Sequence, residues 1–388
     1  MSTIMKDFIF TLPTDIHYGP GSINQLKDLL ISHHVRKALV VTDEGIVKAG
    51  LMDTLGALLT EAAVSYVVYD HVSPNPRDVE VEAGAAMGKA SQADAVIALG
   101  GGSPIDCAKA INVLLSLNEE KIKPFEGKGK ITKALKPLFT IPTTSGTGSE
   151  VTFSSVINDT HHHYKMTIKS PYMAAKVALV DPRLTLGLPK SVTASTGMDA
   201  LTHAIEAYTV KAANPISDAL ALQATELIND SLVNAYQQGD NLEARSTMML
   251  GSLLAGLAFS HSDVGSVHCM AESLGGKLDL PHGLCNAILL PYVMEFNKPA
   301  CQDRYARLAQ AMKLPFSSDE EGADLAIQRV KELSTAVELP PFSYLAVSPA
   351  DFDEMADLSA KNISTESNPR PMNKDDYLTV FQKAYQNE

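Results

Sequence analysis

The sequence predicts an α/β domain built on a Rossmann-like parallel sheet, followed by an all-helical, metal-binding domain. In residues 22–141, short apolar runs alternate with helical patterns. From residue 191 onwards, long segments of helical periodicity follow one another, and almost no β-branched runs separate them. A length of 388 residues also favours two domains over one. We place the domains at residues 1–182 and 183–388.

The first half repeats a strand–helix unit, which is typical of a doubly wound parallel sheet. Ligands of such sheets bind at the carboxyl ends of the strands. Residues 143–180 read as β-like pieces separated by turns. The predicted strands are 37–42, 64–69, 95–99 and 138–141, and the predicted helices are 22–31, 46–59, 79–91 and 104–117.

The second half consists of amphipathic segments with helical spacing of their apolar residues. They are predicted at 191–211, 216–237, 241–260, 266–276, 284–297, 301–312, 319–335, 350–361 and 374–386.

Composition excludes several classes of protein. A formal net charge of −13 argues against nucleic acid as a partner, but it leaves an anionic small substrate open. The four cysteines form no Cys-x-x-Cys pair and are expected to be reduced thiols in a cytoplasmic protein. The N-terminal apolar run is too short for a signal peptide, and no stretch is long enough to span a membrane, so no membrane partner is expected.

A glycine-rich turn follows the predicted strand at 95–99. Gly100, Gly101 and Gly102 permit a tight turn and a close approach to a phosphate. Ser103 suits an N-cap, with Pro104 at the first helical position and Asp106 completing a capping box. The turn predicts a pyrophosphate site, and the alternative is an ordinary tight turn.

Asp43 ends the predicted strand at 37–42. A carboxylate in this position can bind the ribose hydroxyls of NAD and repel the 2′-phosphate of NADP. A plain N-cap for the next helix explains it equally well.

The polar loop after the strand at 138–141 is a second cofactor candidate. Such a loop can wrap a phosphate or a ribose, and a solvated turn is the alternative. Its hydroxyl-bearing residues are Thr143, Thr144, Ser145, Thr147 and Ser149.

Asp199 and His203 are four residues apart and therefore lie on one face of a helix. His268 and His282 supply two further nitrogen donors. Three imidazoles and one carboxylate suit Fe²⁺ or Zn²⁺. We expect these four residues to bind one divalent metal, with iron preferred.

Two nearby features receive a simpler interpretation. Residues 161–163 are three consecutive histidines, but adjacent residues rarely converge on one ion, so we interpret them as an exposed hairpin tip. Glu206 lies one turn past His203, and a solvated helix face is favoured over a role behind the metal ligands.

Four motifs together resemble the iron-containing, group III, alcohol dehydrogenases along nearly the whole chain. They are GGGSPIDCAK at 100–109, PTTSGTGSE at 142–150, GMDALTHAIEAY at 197–208 and HCMAESLGGKLDLPHG at 268–283. The resemblance implies an N-terminal dinucleotide-binding domain, a C-terminal helical domain and a homodimer or a higher homo-oligomer.

The resemblance also assigns residues to roles. The family's metal ligands fall on the four residues proposed above. Its cofactor contacts fall on Asp43, the glycine–serine turn and the loop at 143–149, and also on Asn75 and Lys165. Phe259 occupies a position that often lines the substrate pocket.

Two positions depart from the family pattern. Glu272 stands where most members carry a histidine that is thought to relay a proton or position the nicotinamide. Residues 260–263 are more polar than usual, so His261 or Asp263 is a candidate for facing the substrate.

We expect reversible hydride transfer between NAD(H) and a small primary alcohol or aldehyde, with NADP as the less favoured cofactor. A glycerol- or propanediol-type polyol dehydrogenase is the nearest alternative. A metal-dependent hydrolase and a non-catalytic nucleotide-binding protein are the more distant ones.

Overall fold

Six parallel strands form the central sheet of the first half, and their order across the sheet is 15–18, 177–180, 138–142, 95–100, 37–41 and 65–69. The computed structural model describes residues 7–162 and 164–386. The sheet strands are β1 (Asp15–Tyr18), β2 (Lys37–Val41), β3 (Ser65–Tyr69), β4 (Ala95–Gly100), β6 (Leu138–Pro142) and β9 (Val177–Val180).

Strand β2 shows why these runs are continuously apolar. Ala38 and Val40 pack into the core on one face of the sheet, whereas Leu39 and Val41 pack into the core on the other. A strand buried on both faces has no solvent side, so hydrophobic and polar residues do not alternate along it.

Five helices accompany this sheet: α1 (Leu26–Ser32), α2 (Glu44–Lys48), α3 (Leu51–Glu61), α4 (Asp78–Ser91) and α5 (Gly102–Leu117). A smaller sheet contains β5 (Gly127–Lys128), β7 (Ser154–Asp159) and β8 (Tyr164–Lys169). Strands β7 and β8 are antiparallel and form the hairpin whose turn carries the histidine run. His163 lies outside the described residues.

Three local predictions are wrong. The single helix expected at 46–59 is two helices, because Gly50 adopts φ 77° and breaks it. Helix α5 begins at Gly102 and is preceded by Gly101 as N-cap, so Ser103 is not its cap. Asp106 completes no capping box, because its carboxylate accepts a hydrogen bond from the amide of Val156 on β7 (3.0 Å).

The second half is helical throughout the described residues, which confirms the predicted fold class. Its helices are α6 (Lys190–Thr209), α7 (Pro215–Gln237), α8 (Leu242–His261), α9 (Ser266–Leu278), α10 (His282–Ala311), α11 (Asp319–Ala336), α12 (Phe352–Lys361) and α13 (Lys374–Gln386). The two helices expected at 284–297 and 301–312 meet at a kink within α10, where the backbone of Cys301 is non-helical (φ −136°, ψ 19°).

The chain divides into two compact units. One comprises residues 12–144 and 149–186, and the other comprises residues 7–11, 145–148 and 187–386 of the described chain. The predicted domain ranges, 1–182 and 183–388, stay a prediction. Among the described residues, no helix combines the length and the hydrophobicity that crossing a bilayer requires.

Candidate metal centre and cofactor site

Helix α6 carries the first pair of predicted metal ligands inside the protein. Asp199 is 1% exposed and His203 is 4% exposed, although both are polar. A buried carboxylate and a buried imidazole each cost free energy unless a partner compensates them. Their position therefore indicates a partner of strong charge.

The four predicted ligands come together from three helices. One ligand atom from each of Asp199, His203, His268 and His282 lies within 4.8 Å of the others. The Nε2 atoms of His203 on α6 and His268 on α9 are 3.0 Å apart. Two ring nitrogens at that distance are expected where both coordinate one ion.

Asn286 reaches into the same cluster, and sequence reasoning missed it. Its Nδ2 donates to Asp199 Oδ1 (2.7 Å) and lies 3.1 Å from Nε2 of both His268 and His282. Asn286 follows His282 by four residues on α10 and therefore shares its helix face. That spacing is the signal that could have identified it.

Electrostatics keep the cluster ready to donate lone pairs. Burial lowers the pKa of His203 to about 4, so its ring is neutral near pH 7. Burial acts to raise the pKa of Asp199, but His203, His282 and His268 hold it below its ordinary value. An ionised Asp199 beside a neutral His203 offers the lone pairs that a metal requires.

Glu206 corrects our interpretation of a solvated helix face. It is only 4% exposed, and its Oε2 lies 2.5 Å from Nδ1 of His268. Burial acts to lower the pKa of His268, but the hydrogen bond with Glu206 raises it above its ordinary value. A carboxylate on Nδ1 fixes the ring so that Nε2 points into the cluster.

These residues fit a divalent metal. The cluster offers three imidazoles and one carboxylate, and the donor set of mixed nitrogen and oxygen suits Fe²⁺ or Zn²⁺. A cation would compensate the concentration of acceptor atoms.

Phe259 lies beside the cluster. Its ring stacks on His203 with centroids 4.4 Å apart and an interplanar angle of 19°. Glu272 follows His268 by one turn of α9, and its Oε2 accepts a hydrogen bond from Asn362 Nδ2 (2.6 Å). The carboxylate is therefore held in one orientation near the cluster.

His261 has a different environment. Its ring nitrogens lie 2.8 Å from the carbonyl oxygens of Leu257 and Thr11, and its ring stacks on Phe10. Asp263 accepts hydrogen bonds from the hydroxyls of Ser364 and Ser367. The structure does not bring either residue into the metal cluster.

The glycine turn lies at the carboxyl end of β4, where a doubly wound sheet binds its ligand. Gly100 adopts φ 148°, and a side chain there would meet Pro104 at 2.6 Å. A Cβ on Gly101 would lie 3.2 Å from Oγ1 of Thr144. Both glycines therefore allow backbone to approach where a larger residue would obstruct it.

Two residues that the resemblance implicated in cofactor binding contact each other. Nζ of Lys165 on β8 donates to Oδ1 of Asn75 (3.0 Å), and Asn75 is buried. Ser103 Oγ donates to the carbonyl of Pro74, the residue next to Asn75. The loop at 74–75 thus links the start of α5 to β8.

The remaining cofactor candidates differ in their surroundings. Asp43 is the N-cap of α2 and accepts a hydrogen bond from the amide of Ile46 (3.0 Å). Thr143 is fully buried, and its hydroxyl has no hydrogen-bond partner among the described residues. Thr147 falls in the compact unit that contains the helices, whereas Ser149 falls in the unit that contains the sheet.

A buried ionic group beneath α5 was not predicted. Lys109 is completely buried, and its Nζ donates to Thr152 Oγ1 (2.7 Å) and to the carbonyl of Ser154 (2.9 Å). Burial lowers the pKa of Lys109 to about 8 and raises that of Glu150 to about 7. Lys109 joins helix α5 to the segment that follows the hydroxyl-rich loop.

The histidine turn does not compete for the metal within the described residues. Nδ1 of His162 lies 2.9 Å from Asp159, which also pairs with Lys123. Among the described residues, the group that could hold a metal ion is instead the cluster of Asp199, His203, His268 and His282.

Two models of protein families match consecutive parts of the chain. The family model described as iron-containing alcohol dehydrogenase matches residues 13–182, and the model described as the C-terminal part of the Fe-containing alcohol dehydrogenase family matches residues 193–385. Together they cover nearly the whole chain.

Individual relatives agree with these models. The 1,3-propanediol dehydrogenase of Klebsiella pneumoniae is 38% identical over 99% of this chain and 100% of its own length. The NADPH-dependent butanol dehydrogenase of Clostridium saccharobutylicum is 40% identical over 97% of each chain. The crystal structure of a 1,3-propanediol oxidoreductase has a TM-score of 0.95 at 38% identity and covers 98% of this chain and 100% of its own. The predicted family is confirmed: the chain belongs to the iron-containing alcohol dehydrogenases, oxidoreductases that act on CH–OH groups.

Proposed function

We propose that the protein interconverts a small primary alcohol and its aldehyde, with NAD(H) as cofactor and one divalent metal held by Asp199, His203, His268 and His282. The observation that carries this proposal is the convergence of four ligand atoms, three of them on buried residues, within 4.8 Å of one another. Iron is the preferred ion because of the family. Zinc suits the same donors and generally binds them more tightly, so occupancy depends on supply.

The bound groups would supply the difficult chemistry. A divalent cation is a Lewis acid that polarises a carbonyl oxygen, and a nicotinamide carries the hydride. The protein's own residues orient the metal ligands and exclude water from them. Glu206 fixes the ring of His268, and Phe259 covers one face of His203 with apolar surface.

The proposed dinucleotide contacts are supported by several observations in the sheet-containing unit. The start of α5 presents backbone amides at a helix N-terminus, which favours a phosphate. The contacts that we assign within this unit are Gly101, Gly102, Ser103, Asn75, Lys165, Thr143, Thr144 and Ser149. The unpartnered hydroxyl of Thr143 supports this assignment most directly. Thr147 is assigned to the cofactor from the family resemblance.

We propose NAD rather than NADP because of Asp43. The butanol dehydrogenase relative is named for NADPH, so family membership does not decide between the cofactors. A carboxylate at the end of β2 would accept hydrogen bonds from ribose hydroxyls and repel a 2′-phosphate.

Two features bear on the substrate. The name of the 1,3-propanediol dehydrogenase relative keeps a diol or hydroxyaldehyde as the second candidate. The fixed carboxylate of Glu272 near His268 is our candidate for moving the proton to or from the substrate oxygen. His261 has weaker support, because its ring nitrogens contact backbone oxygens.

Cytoplasmic location and homo-oligomerisation stay predictions.

The test is turnover of purified protein with NADH or NADPH and a panel of aldehydes: aliphatic, hydroxylated and anionic. Each is measured after chelation and after Fe²⁺ or Zn²⁺ is restored. We expect chelation to abolish turnover and either metal to restore it, with NADH preferred. Chelated protein that turns over as fast as the metal-loaded form would exclude the four-ligand site.

A matched pair of variants separates the site from general effects. His203→Ala removes a ligand and should abolish metal binding, measured by elemental analysis. His17→Ala removes a histidine whose Nδ1 contacts Gln25 and which lies outside the cluster. It should leave metal content and turnover unchanged.

A further inference from the structure

Residues 363–370 form hydrogen bonds at or next to each of the three helices that carry the proposed metal ligands. This segment follows α12 and begins with the 3-10 turn Ile363–Ser367. Its sequence is ISTESNPR. It has no member of the ligand set, so any effect on the metal must pass through the helices.

Just after the end of α6, two backbone carbonyls of the segment accept hydrogen bonds from Lys211. The amide of Lys211 donates to the carbonyl of Ser367 (2.8 Å), and its Nζ donates to the carbonyl of Glu366 (3.1 Å). Helix α6 carries Asp199 and His203.

At the start of α9, the segment supplies a helix cap. Gly265 is the N-cap residue and has no side chain, so α9 cannot cap itself. Oδ1 of Asn368 accepts from the amide of Ser266 (3.2 Å), and Oε1 of Glu206 accepts from the amide of Val267 (2.8 Å). The next residue is His268.

The atoms around Gly265 explain why this position holds a glycine. A Cβ at this position would lie 2.9 Å from Oε1 of Glu206 and 3.1 Å from Oδ1 of Asn368. Any side chain there would displace one or both of the capping groups.

On α10, the segment forms a reciprocal amide pair. Asn368 donates to Oδ1 of Asn297 (2.8 Å) and accepts from Nδ2 of Asn297 (3.0 Å). Arg370 donates to the carbonyl of Phe296 (2.8 Å), and its guanidinium lies 3.9 Å from the ring centroid of Phe296. Helix α10 carries His282 and Asn286.

Asn368 is the centre of these contacts. It is completely buried, and its amide also donates to the carbonyl of Arg370 (2.6 Å). Burying an amide is tolerated only when its hydrogen bonds are made, so Asn368 can hold its position only while the neighbouring helices hold theirs.

We propose that residues 363–370 form a clasp that sets the relative positions of α6, α9 and α10, with Asn368 as a positioning residue for His268. The clasp slows metal release because it prevents the start of α9 from moving away from the other two helices. The inference rests on the proposed metal site.

The test is the rate at which a chromogenic chelator removes metal from the metal-loaded protein. Changing residues that orient metal ligands commonly costs about 10- to 100-fold in affinity, and we expect Asn368→Ala to speed release by about this factor. Gly265→Ala should do the same by another route, because its Cβ displaces the capping oxygens. Far-ultraviolet circular dichroism confirms that each variant is folded.

A control variant separates the clasp from general loss of stability. Asn241 is the N-cap of α8 and accepts from the amide of Ala244 (3.1 Å), away from the clasp. Asn241→Ala should lower the melting temperature through loss of the cap and leave metal release unchanged. Equal release rates in wild type, Asn368→Ala and Gly265→Ala would overturn the clasp. A wild-type protein that binds no metal would instead overturn the proposed site.

Discussion

Oδ1 of Asp43 accepts a hydrogen bond of 3.0 Å from the amide of Ile46, so the residue proposed to select NAD is also the N-cap of α2. Asp43→Asn retains the cap, because asparagine caps helices as well as aspartate does. It removes the charge that would repel a 2′-phosphate. We expect kcat/KM with NADPH to rise about tenfold, which corresponds to about 1.4 kcal/mol, while thermal stability stays unchanged.

Asp43→Gly should improve NADPH use in the same way. Because glycine is a slightly weaker N-cap, this variant should also lose about a few tenths of a kcal/mol of stability. Asp53→Asn, in the first turn of α3, is the matched control and should not alter cofactor preference. An unchanged ratio of NADPH to NADH activity in both Asp43 variants would leave Asp43 with its capping function alone.

Thr143→Val tests the cofactor loop without disturbing a hydrogen bond of the free protein. The hydroxyl of Thr143 is buried and has no partner among the described residues, so its removal should be neutral or stabilising. If the hydroxyl binds the dinucleotide, the Kd of NADH should rise about tenfold in the variant, because the loss of one hydrogen bond costs about 1 kcal/mol or slightly more. Fluorescence titration of NADH measures it.

Thr140→Val, on the preceding strand β6, is the matched control. The hydroxyl of Thr140 lies 3.4 Å from the carbonyl of Glu150 and 3.3 Å from that of Val177. This variant should lose about 1 kcal/mol of stability and bind NADH normally. The opposite pattern, with normal binding in Thr143→Val, would remove Thr143 from the cofactor site.

Glu150→Gln should change how stability depends on pH. Burial raises the pKa of Glu150 from 4.5 to about 7, so the folded protein binds this proton more tightly than the unfolded chain does. The folded state then holds more protons between pH 4.5 and 7, and the free energy of unfolding falls as pH rises through that range. The variant should gain about 2–3 kcal/mol relative to wild type between pH 4.5 and 7.5.

Urea unfolding followed by circular dichroism measures this difference, and Glu119→Gln, at an exposed position, is the control that should show none. The titration stops at pH 7.5 because the pKa of Lys109 is about 8. Parallel stability profiles for wild type and Glu150→Gln would show that the carboxyl group is solvated.

Glu272→Gln tests proton transfer. Glutamine can still accept the hydrogen bond that Glu272 receives from Asn362, so the side chain should remain in place. Loss of a group that transfers a proton typically costs about 10²-fold or more, and we expect kcat to fall by about this factor with metal content unchanged. A fall of less than about threefold would leave Glu272 as an anchor for Asn362, since general acid–base catalysis contributes far more.

Periodicity was sufficient to predict most helices because their buried faces repeat along the sequence. Helix α7 was expected at 216–237 and runs from Pro215 to Gln237. The ligand set could be proposed for the same reason, since Asp199 and His203 are one turn apart on α6. Strand β1, by contrast, is four residues long and only partly buried, so it has no clear apolar pattern and was missed.

Contacts between distant segments were not predictable. Glu206 is buried because His268 and Val267 lie against it, and nothing near Glu206 in the sequence indicates those partners. Asp106 was expected to complete a capping box at the start of α5, but its carboxylate accepts a hydrogen bond from the amide of Val156 on β7. In each case a contact far along the chain determines what a local pattern leaves open.

The placement of the ligands on α6, α9 and α10 has a consequence for folding. Residues 204–267, which include α7 and α8, lie between His203 and His268, so an ion bound to both would close a long loop as a disulfide does. Such an ion can form its full set of bonds only after distant parts of the chain have met. We therefore expect metal uptake to be a late event in refolding, one that locks in a helical arrangement already formed.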